Sequence, residues 1–483
     1  MPIFLHDTLS GKKESFKPIA PKKVGMYHCG PTVYNYTHIG NLRSYVFADV
    51  LRRTLEYNDY KVKQVINITD VGHLSSDADD GEDKMTKALR REGKSMTLEA
   101  MREVGEFYTK AFVVDLKALN ILLPHEMPRA SDHIKGDIEL IKILEGKSIA
   151  YKTNDGVYFD TSRFPEYGKL GRINLAGQKE GARVGVNEEK RNPTDFALWK
   201  FSSTAPLGAV EAREDAELTQ NYAEKESQLG FESPWGKGFP GWHIECSAMS
   251  AKYLGQPFDI HTGGIDHIPV HHNNEIAQSE SAYEKPLANY WLHNEHLILP
   301  SGDKMAKSGE NFITLLTLKE KGMSPLAYRY YLLGANYKTP MVWSEEAMEG
   351  ARNSYEKLLA HFLSLGDKDG KIDENYQQKF QEKINDDLNT SIALSLIWEV
   401  LGDQKLLKEI KRATLLDFDR VLGLGLANLY AEPIPPEVQK LSDEREIARK
   451  NQNWKMSDIL RKKIEGMGYK VHDEVLGPLL YKL

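Results

Sequence analysis

The stretch from Val24 to Thr69 constrains this chain most. Val24-Gly25-Met26-Tyr27-His28 is short and apolar enough for a buried strand, and Cys29-Gly30-Pro31-Thr32 breaks it. Leu42, Val46 and Val50 then recur every fourth residue, as do Phe47, Leu51 and Leu55, which is the spacing of one helix face. Val65-Ile66-Asn67-Ile68-Thr69 is rich in β-branched residues and reads as a second strand. Strand, helix, strand within about 50 residues is a βαβ unit, and it predicts an α/β fold with a parallel sheet.

The rest of the chain fits around that unit. Its 483 residues suggest about three domains at roughly 150 residues each. Residues 115 to 235 carry short strands and turns such as Tyr158-Phe159-Asp160, and read as an insertion. A second half of the sheet is expected near Gly241, with a strand at Phe258-Asp259-Ile260-His261, a helix from His271 to about Glu284 and a strand from Tyr290 to Leu299. The helical spacing of residues 340–427 predicts a bundle. Pro433-Ile434-Pro435-Pro436 is a linker to a small module of two charged helices and a strand near Tyr469. The expected architecture is thus a Rossmann-like parallel-sheet domain in two halves, 1–115 and 236–335. A connective domain, 116–235, is inserted between them. A helical bundle, 336–430, and a small mixed α/β module, 433–483, follow.

Composition adds exclusions. The net charge of −7, from 63 basic and 70 acidic residues, argues against a uniformly basic surface but leaves room for a local one. No stretch of about 20 apolar residues and no basic, then apolar, leader is present, so a soluble cytoplasmic protein without a membrane partner is expected. The two cysteines, Cys29 and Cys246, form no readable disulfide framework.

Two strings suit a nucleotide. Thr37-His38-Ile39-Gly40-Asn41 runs into the first helix, whose N-terminus offers unpaired N–H groups to a phosphate. Lys304-Met305-Ala306-Lys307-Ser308 lies in a Gly-bearing loop, where two lysines three apart can converge on a polyphosphate. A third set suits a metal. His271 and Glu275 are four apart and share a face if helical, and with the two thiols they would complete a tetrahedral zinc set. Its spacing matches no zinc finger, and alone it is weak evidence.

Taken together the strings resemble a family. His38-Ile39-Gly40-Asn41 and Lys304-Met305-Ala306-Lys307-Ser308 resemble the two signatures of class I aminoacyl-tRNA synthetases, in the right order and separation. Asn41 and Ala306 depart from the consensus, although the lysines remain. Tyr27-His28-Cys29-Gly30-Pro31-Thr32-Val33-Tyr34, Gly241-Trp242-His243-Ile244-Glu245-Cys246 and Pro269-Val270-His271-His272-Asn273-Asn274-Glu275 closely resemble cysteinyl-tRNA synthetase segments.

That resemblance implies a ligase that activates L-cysteine with Mg²⁺·ATP and transfers it to the 3′-terminal adenosine of tRNA(Cys). His38, Asn41, Lys304 and Lys307 would be catalytic. Thr37, His38, Gly40, Asn41, Asp266 and the two lysines would hold ATP. Cys29, Cys246, His271 and Glu275 would bind one zinc ion, and Trp242, His243 and Thr69 would wall the cysteine pocket. Zinc prefers sulfur and acidifies a thiol, so it separates cysteine from the nearly isosteric serine better than a size sieve could. The bundle and the C-terminal module would read tRNA, with Trp454, Arg461, Lys462 and Lys463 as a candidate surface. A monomer is the family expectation.

Two other readings share some of these motifs. A cysteine-activating ligase with an amino-sugar acceptor would need no terminal modules. A catalytically silent zinc-containing RNA-binding paralogue would not need His38, Lys304 and Lys307. His272 is read as no ligand, because its i+4 neighbour is Ile276, and His293-Asn294-Glu295-His296 is read as structural. The acidic loop 77–83 fails as a calcium loop, since its glycine falls early and no closing glutamate follows.

Overall fold

The computed structural model of the chain describes residues 1–73, 83–173, 189–202, 229–302, 312–368, 370–429, 434–474 and 477–482. Its centre is a four-stranded sheet made of β3 (Lys23–His28), β4 (Lys61–Ile66), β9 (Phe258–Gly264) and β10 (Ala288–Asn294). The order across the sheet is β10-β9-β3-β4, and every pairing is parallel. The helix Ile39–Tyr57 connects β3 to β4, and the helix Asn273–Tyr283 lies between β9 and β10. The two crossovers leave in opposite directions from the central pair β3 and β9. Open parallel sheets bind ligands at the carboxyl ends of such a pair, where the winding reverses.

The expected βαβ unit is therefore present, as is the Rossmann-like class. The second strand ends at Ile66, earlier than the β-branched run suggests. Ile68 and Thr69 continue it only as single bridges, to Arg129 and to Thr32. Six of the seven residues of β9 are buried, His261 and Thr262 among them, as befits a strand covered on both faces.

Between the two halves lies an antiparallel sheet of β5 (Ala150–Lys152), β6 (Gly156–Phe159), β7 (Phe196–Phe201) and β8 (Gly238–Pro240), in that order. β8 runs through Gly241 straight into the helix Trp242–Leu254. Side-chain room is absent at Gly241, where a Cβ would fall 2.1 Å from the Ala197 carbonyl oxygen. The polar stretch 204–232 falls mostly outside the described residues.

Helices at Glu345–Ser364, Glu374–Asn385, Thr390–Gly402 and Lys408–Leu422 lie where a bundle is expected, and the helix Pro325–Leu333, before the expected boundary at 336, packs with them. One hydrophobic cluster runs from Ile3 in the N-terminal hairpin to Leu426 after the bundle, so the sheet and the bundle share a core. A buried ion pair ties them: Arg329 lies 2.6 Å from Asp49, and its guanidinium also donates to the Leu119 and Leu422 carbonyl oxygens. The helices Pro436–Lys450 and Trp454–Gly466 and the hairpin of β13 (Tyr469–Glu474) and β14 (Gly477–Lys482) form a module with its own small core of Val438, Ile464, Tyr469 and Val471.

Candidate functional site

A cavity of about 310 Å³ opens at the carboxyl ends of β3 and β9. Cys29, Thr37, His38, Gly40, Asn41, Thr69, Trp242, Cys246, Asp266 and His271 all line it, so the fold brings together most of the residues that the sequence nominates. Lys304 and Lys307 lie outside the described residues. The chain that follows them returns beside His38: Ile39 N–H donates to the Ile313 carbonyl oxygen at 2.9 Å, and the Phe312 ring meets the His38 ring edge-on.

The nucleotide end is built on the first helix. His38 is its N-cap, and its Nδ1 accepts from Asn41 N–H at 3.2 Å. An accepting Nδ1 places the ring proton on Nε2, which makes that nitrogen a donor. No acidic residue sits in the first turn to compete for an anion at the helix N-terminus. Asn41 Oδ1 is buried with no hydrogen-bond partner among the described residues. Thr37 instead donates its hydroxyl to Asp115 at 3.1 Å, so its proton is already committed. Asp266 stands exposed in the turn Ile265–His267, at the rim of the cavity.

The other end holds sulfur and imidazole. Cys29 follows β3, Cys246 lies on the helix Trp242–Leu254, and His271 and Glu275 come from the crossover after β9. One ligand atom from each lies within 4.8 Å of the others, and all four residues are buried. His271 Nε2 is 3.1 Å from Glu275 Oε1. The second nitrogen of His271 is held by His243, Nδ1 to Nδ1 at 2.9 Å, and the second oxygen of Glu275 by His261 Nε2 at 2.9 Å.

The donor set carries more negative charge than its burial favours. Burial opposes ionisation of Cys246, but hydrogen bonding with Cys29 and with His271 outweighs it and brings the thiol down to about 6. Burial and then the Cys246 sulfur push the Cys29 thiol well up. Burial disfavours protonated His271, yet Glu275 and Cys246 raise it to about 10. His261 and His271 hold the Glu275 carboxylate well below its usual range against the cost of burial. Two sulfurs, one imidazole nitrogen and one carboxylate oxygen, close enough to converge, match the ligand types of a thiophilic divalent cation such as zinc.

Three features escaped the sequence reading. His272 Nε2 lies 3.3 Å from Cys29 Sγ, and His272 joins Cys29, His261 and Glu275 in a second converging group. The carboxylate near His272 is Glu275 at i+3, Nε2 to Oε1 3.9 Å, where an i+4 count finds only Ile276. Asn294, Glu295 and His296 line the cavity rather than serving only the strand, while His293 Nε2 supports His272 Nδ1 at 2.7 Å. Glu245 receives the Thr69 hydroxyl proton, and burial together with Cys246 pushes its carboxyl well up. No spacing marked these contacts, which arise between elements far apart in the chain.

Comparison with known proteins bears on the same site. A family model described as the class I (C) tRNA synthetase catalytic domain matches residues 15–208 and 207–353. Cysteine–tRNA ligase 1 of Burkholderia lata is 46% identical, over 100% of this chain and 97% of that protein. The chain belongs to the cysteine–tRNA ligase family. Members from Treponema denticola, at 42% identity with 98% of each chain covered, and Thermus thermophilus, at 40% with 99% of each covered, match it equally end to end. In fold it is similar to the methionyl-tRNA synthetase of Mycobacterium tuberculosis bound by methionyl-adenylate, with a TM-score of 0.53 at 14% identity over 83% of this chain and 90% of that one.

Proposed function

We propose that the chain activates L-cysteine with ATP and transfers it to the terminal adenosine of tRNA(Cys). The observation that carries the reading is the convergence of Cys29, Cys246, His271 and Glu275 at one end of a cavity whose other end is a helix N-terminus. Those four residues would hold one zinc ion, which would supply a sulfur-seeking position that favours cysteine's thiol over serine's hydroxyl.

The remaining residues bind, orient and stabilise. His38 Nε2–H and the Asn41 side chain, at the positive end of the first helix, stabilise charge developing on the α-phosphate as the cysteine carboxylate attacks it. Lys304 and Lys307 hold the departing pyrophosphate of Mg²⁺·ATP. Asp266 accepts from the ribose hydroxyls, and Gly40 lets the nucleotide approach the backbone. Trp242 and Thr69 wall the amino acid, while His243 acts on it indirectly by fixing the His271 ring. The adenylate then passes its acyl group to a tRNA hydroxyl with release of AMP, and pairing two reactants in one cavity lowers the entropic part of the barrier.

The bundle and the C-terminal module take the tRNA. Trp454 is 57% exposed and could stack on an unpaired base. Arg461 is less available, since it shares Asp473 with Arg445 and Arg449. No described helix is long and apolar enough to cross a membrane, and the proposal places a monomer in the cytoplasm.

The test is cysteine-dependent ATP–pyrophosphate exchange on zinc-loaded protein, with serine alongside and transfer to tRNA as a second readout. Exchange with cysteine alone, followed by label on tRNA, supports the proposal. Exchange without transfer points to another acceptor such as an amino sugar. Absence of exchange in protein that contains zinc sinks the ligase reading.

A further inference from the structure

The cavity wall carries a cation that the functional reading above does not use. Among the described residues that line it, Lys84 is the one lysine or arginine. It begins the helix Lys84–Arg91, which Asp83 caps through the N–H groups of Met85 and Thr86. Its ammonium donates to His73 Nε2 at 2.5 Å, and its backbone N–H donates to the His73 carbonyl oxygen at 2.8 Å.

His73 is itself fixed on three sides. Its ring stacks on Trp242 with centroids 4.0 Å apart and planes 12° apart. An Nε2 that accepts from Lys84 leaves the ring proton on Nδ1, which donates to the Thr32 hydroxyl. The preceding residue, Gly72, has φ +72°, and a Cβ there would fall 2.4 Å from the Pro240 carbonyl oxygen, just ahead of Trp242. The segment bearing His73 is thus pressed against the strand that delivers Trp242, in a backbone conformation that glycine accepts readily.

The same indole reaches the sulfur end. Trp242 lies 4.3 Å from the His271 ring on one side and 5.9 Å from Lys84 Nζ on another, centroid distances in both cases. A cysteine whose sulfur sits among Cys29, Cys246 and His271 extends its α-carbon groups along that indole. Of those groups the carboxylate is the anion, and the Lys84 ammonium beside the same indole suits it by charge.

We propose that Lys84 binds the α-carboxylate of the amino-acid substrate, and that His73 is a positioning residue that aims the ammonium by stacking on Trp242. The inference rests on the cysteine-activation reading. It assigns recognition of the substrate's two ends to one continuous wall, with sulfur at Cys29, Cys246 and His271 and carboxylate at Lys84.

Calorimetric binding of cysteine and of cysteamine to zinc-loaded full-length protein, without ATP, tests it. Cysteamine keeps the thiol and the amine and lacks the carboxylate. Lys84→Met should weaken cysteine by at least about tenfold, the loss of one charge-assisted hydrogen bond, and leave cysteamine within about threefold of wild type. Lys84→Arg should retain most of the cysteine affinity. His73→Phe, which keeps an aromatic ring for the stack but no acceptor for Lys84, should weaken cysteine by an intermediate factor and spare cysteamine. Equal losses for the two ligands would overturn the proposal in favour of a packing role. So would unchanged cysteine affinity in Lys84→Met, or an effect confined to the KM for ATP in the exchange assay. Wild-type protein that contains zinc yet binds neither thiol would defeat the cysteine-activation reading, and this inference with it.

Discussion

His243 Nδ1 lies 2.9 Å from His271 Nδ1, and both rings are buried. Two imidazoles at that distance share one proton. Burial and then His271 push His243 well below its ordinary range, so His243 is the neutral acceptor and His271 the donor. That assignment leaves His271 Nε2 facing Glu275 and Cys246. Replacing His243 by phenylalanine removes the acceptor and should weaken zinc binding by about 10- to 100-fold, read by competition with a chromophoric chelator. Unchanged zinc affinity would show that His243 does not orient His271.

Cys29→Ser and Cys246→Ser each remove one sulfur from the set. Each variant should lose most of its zinc and nearly all cysteine-dependent exchange, while its circular dichroism stays native. Full zinc content in Cys246→Ser would mean that the second group, Cys29 with His261, His272 and Glu275, holds the ion instead, and full zinc content in Cys29→Ser would contradict both groups.

The fold was legible where local pattern and burial agree. The four-residue recurrence of Leu42, Val46 and Val50 marks a helix whose buried side faces the sheet. The Phe258–His261 run forms β9 with both faces covered, and its polar members are buried with partners: Asp259 accepts from the Ile19 and Gly25 N–H groups, and His261 meets Glu275. The site was legible where motif strings sit beside chain breaks, as at Cys29 and His38. What escaped are contacts assembled across the sequence, such as His261 on Glu275, Glu245 on Thr69, and the His73–Trp242 stack. The approach of His272 to Cys29 likewise joins residues 243 positions apart, which no helical count reveals.

Arg329 and Asp49 are both fully buried, and their ion pair joins the bundle to the first helix of the catalytic sheet. Arg329→Met leaves the Asp49 carboxylate with Arg53 alone for an ionic partner and strands the Leu119 and Leu422 carbonyl oxygens. A loss of about 3–5 kcal/mol in unfolding free energy is expected from denaturant titration. A change below about 1 kcal/mol would contradict the role given to this pair, since that is the scale of surface pairs.

Asp115 supplies a pH dependence. Burial pushes its carboxyl up to about 6, against the hydrogen bond from Thr37. A carboxyl raised in the folded state binds a proton more tightly there than in the unfolded chain. Its contribution is therefore complete below the unfolded value near 4 and is lost as pH rises through about 6. Wild type should lose on the order of 2 kcal/mol relative to Asp115→Asn between pH 4 and pH 7, measured by chemical denaturation at each pH. Parallel stability curves for the two proteins would show that Asp115 ionises normally.

The central claim is that one buried set of two sulfurs, one nitrogen and one oxygen recognises cysteine by its thiol. X-ray absorption at the zinc edge of loaded protein tests it most directly. Two sulfur neighbours at about 2.3 Å with lighter ligands near 2.0 Å are expected. Adding cysteine should raise the sulfur count to three, and adding serine should leave the spectrum unchanged. A sulfur count that stays at two with saturating cysteine, or a spectrum that responds alike to serine, would contradict it.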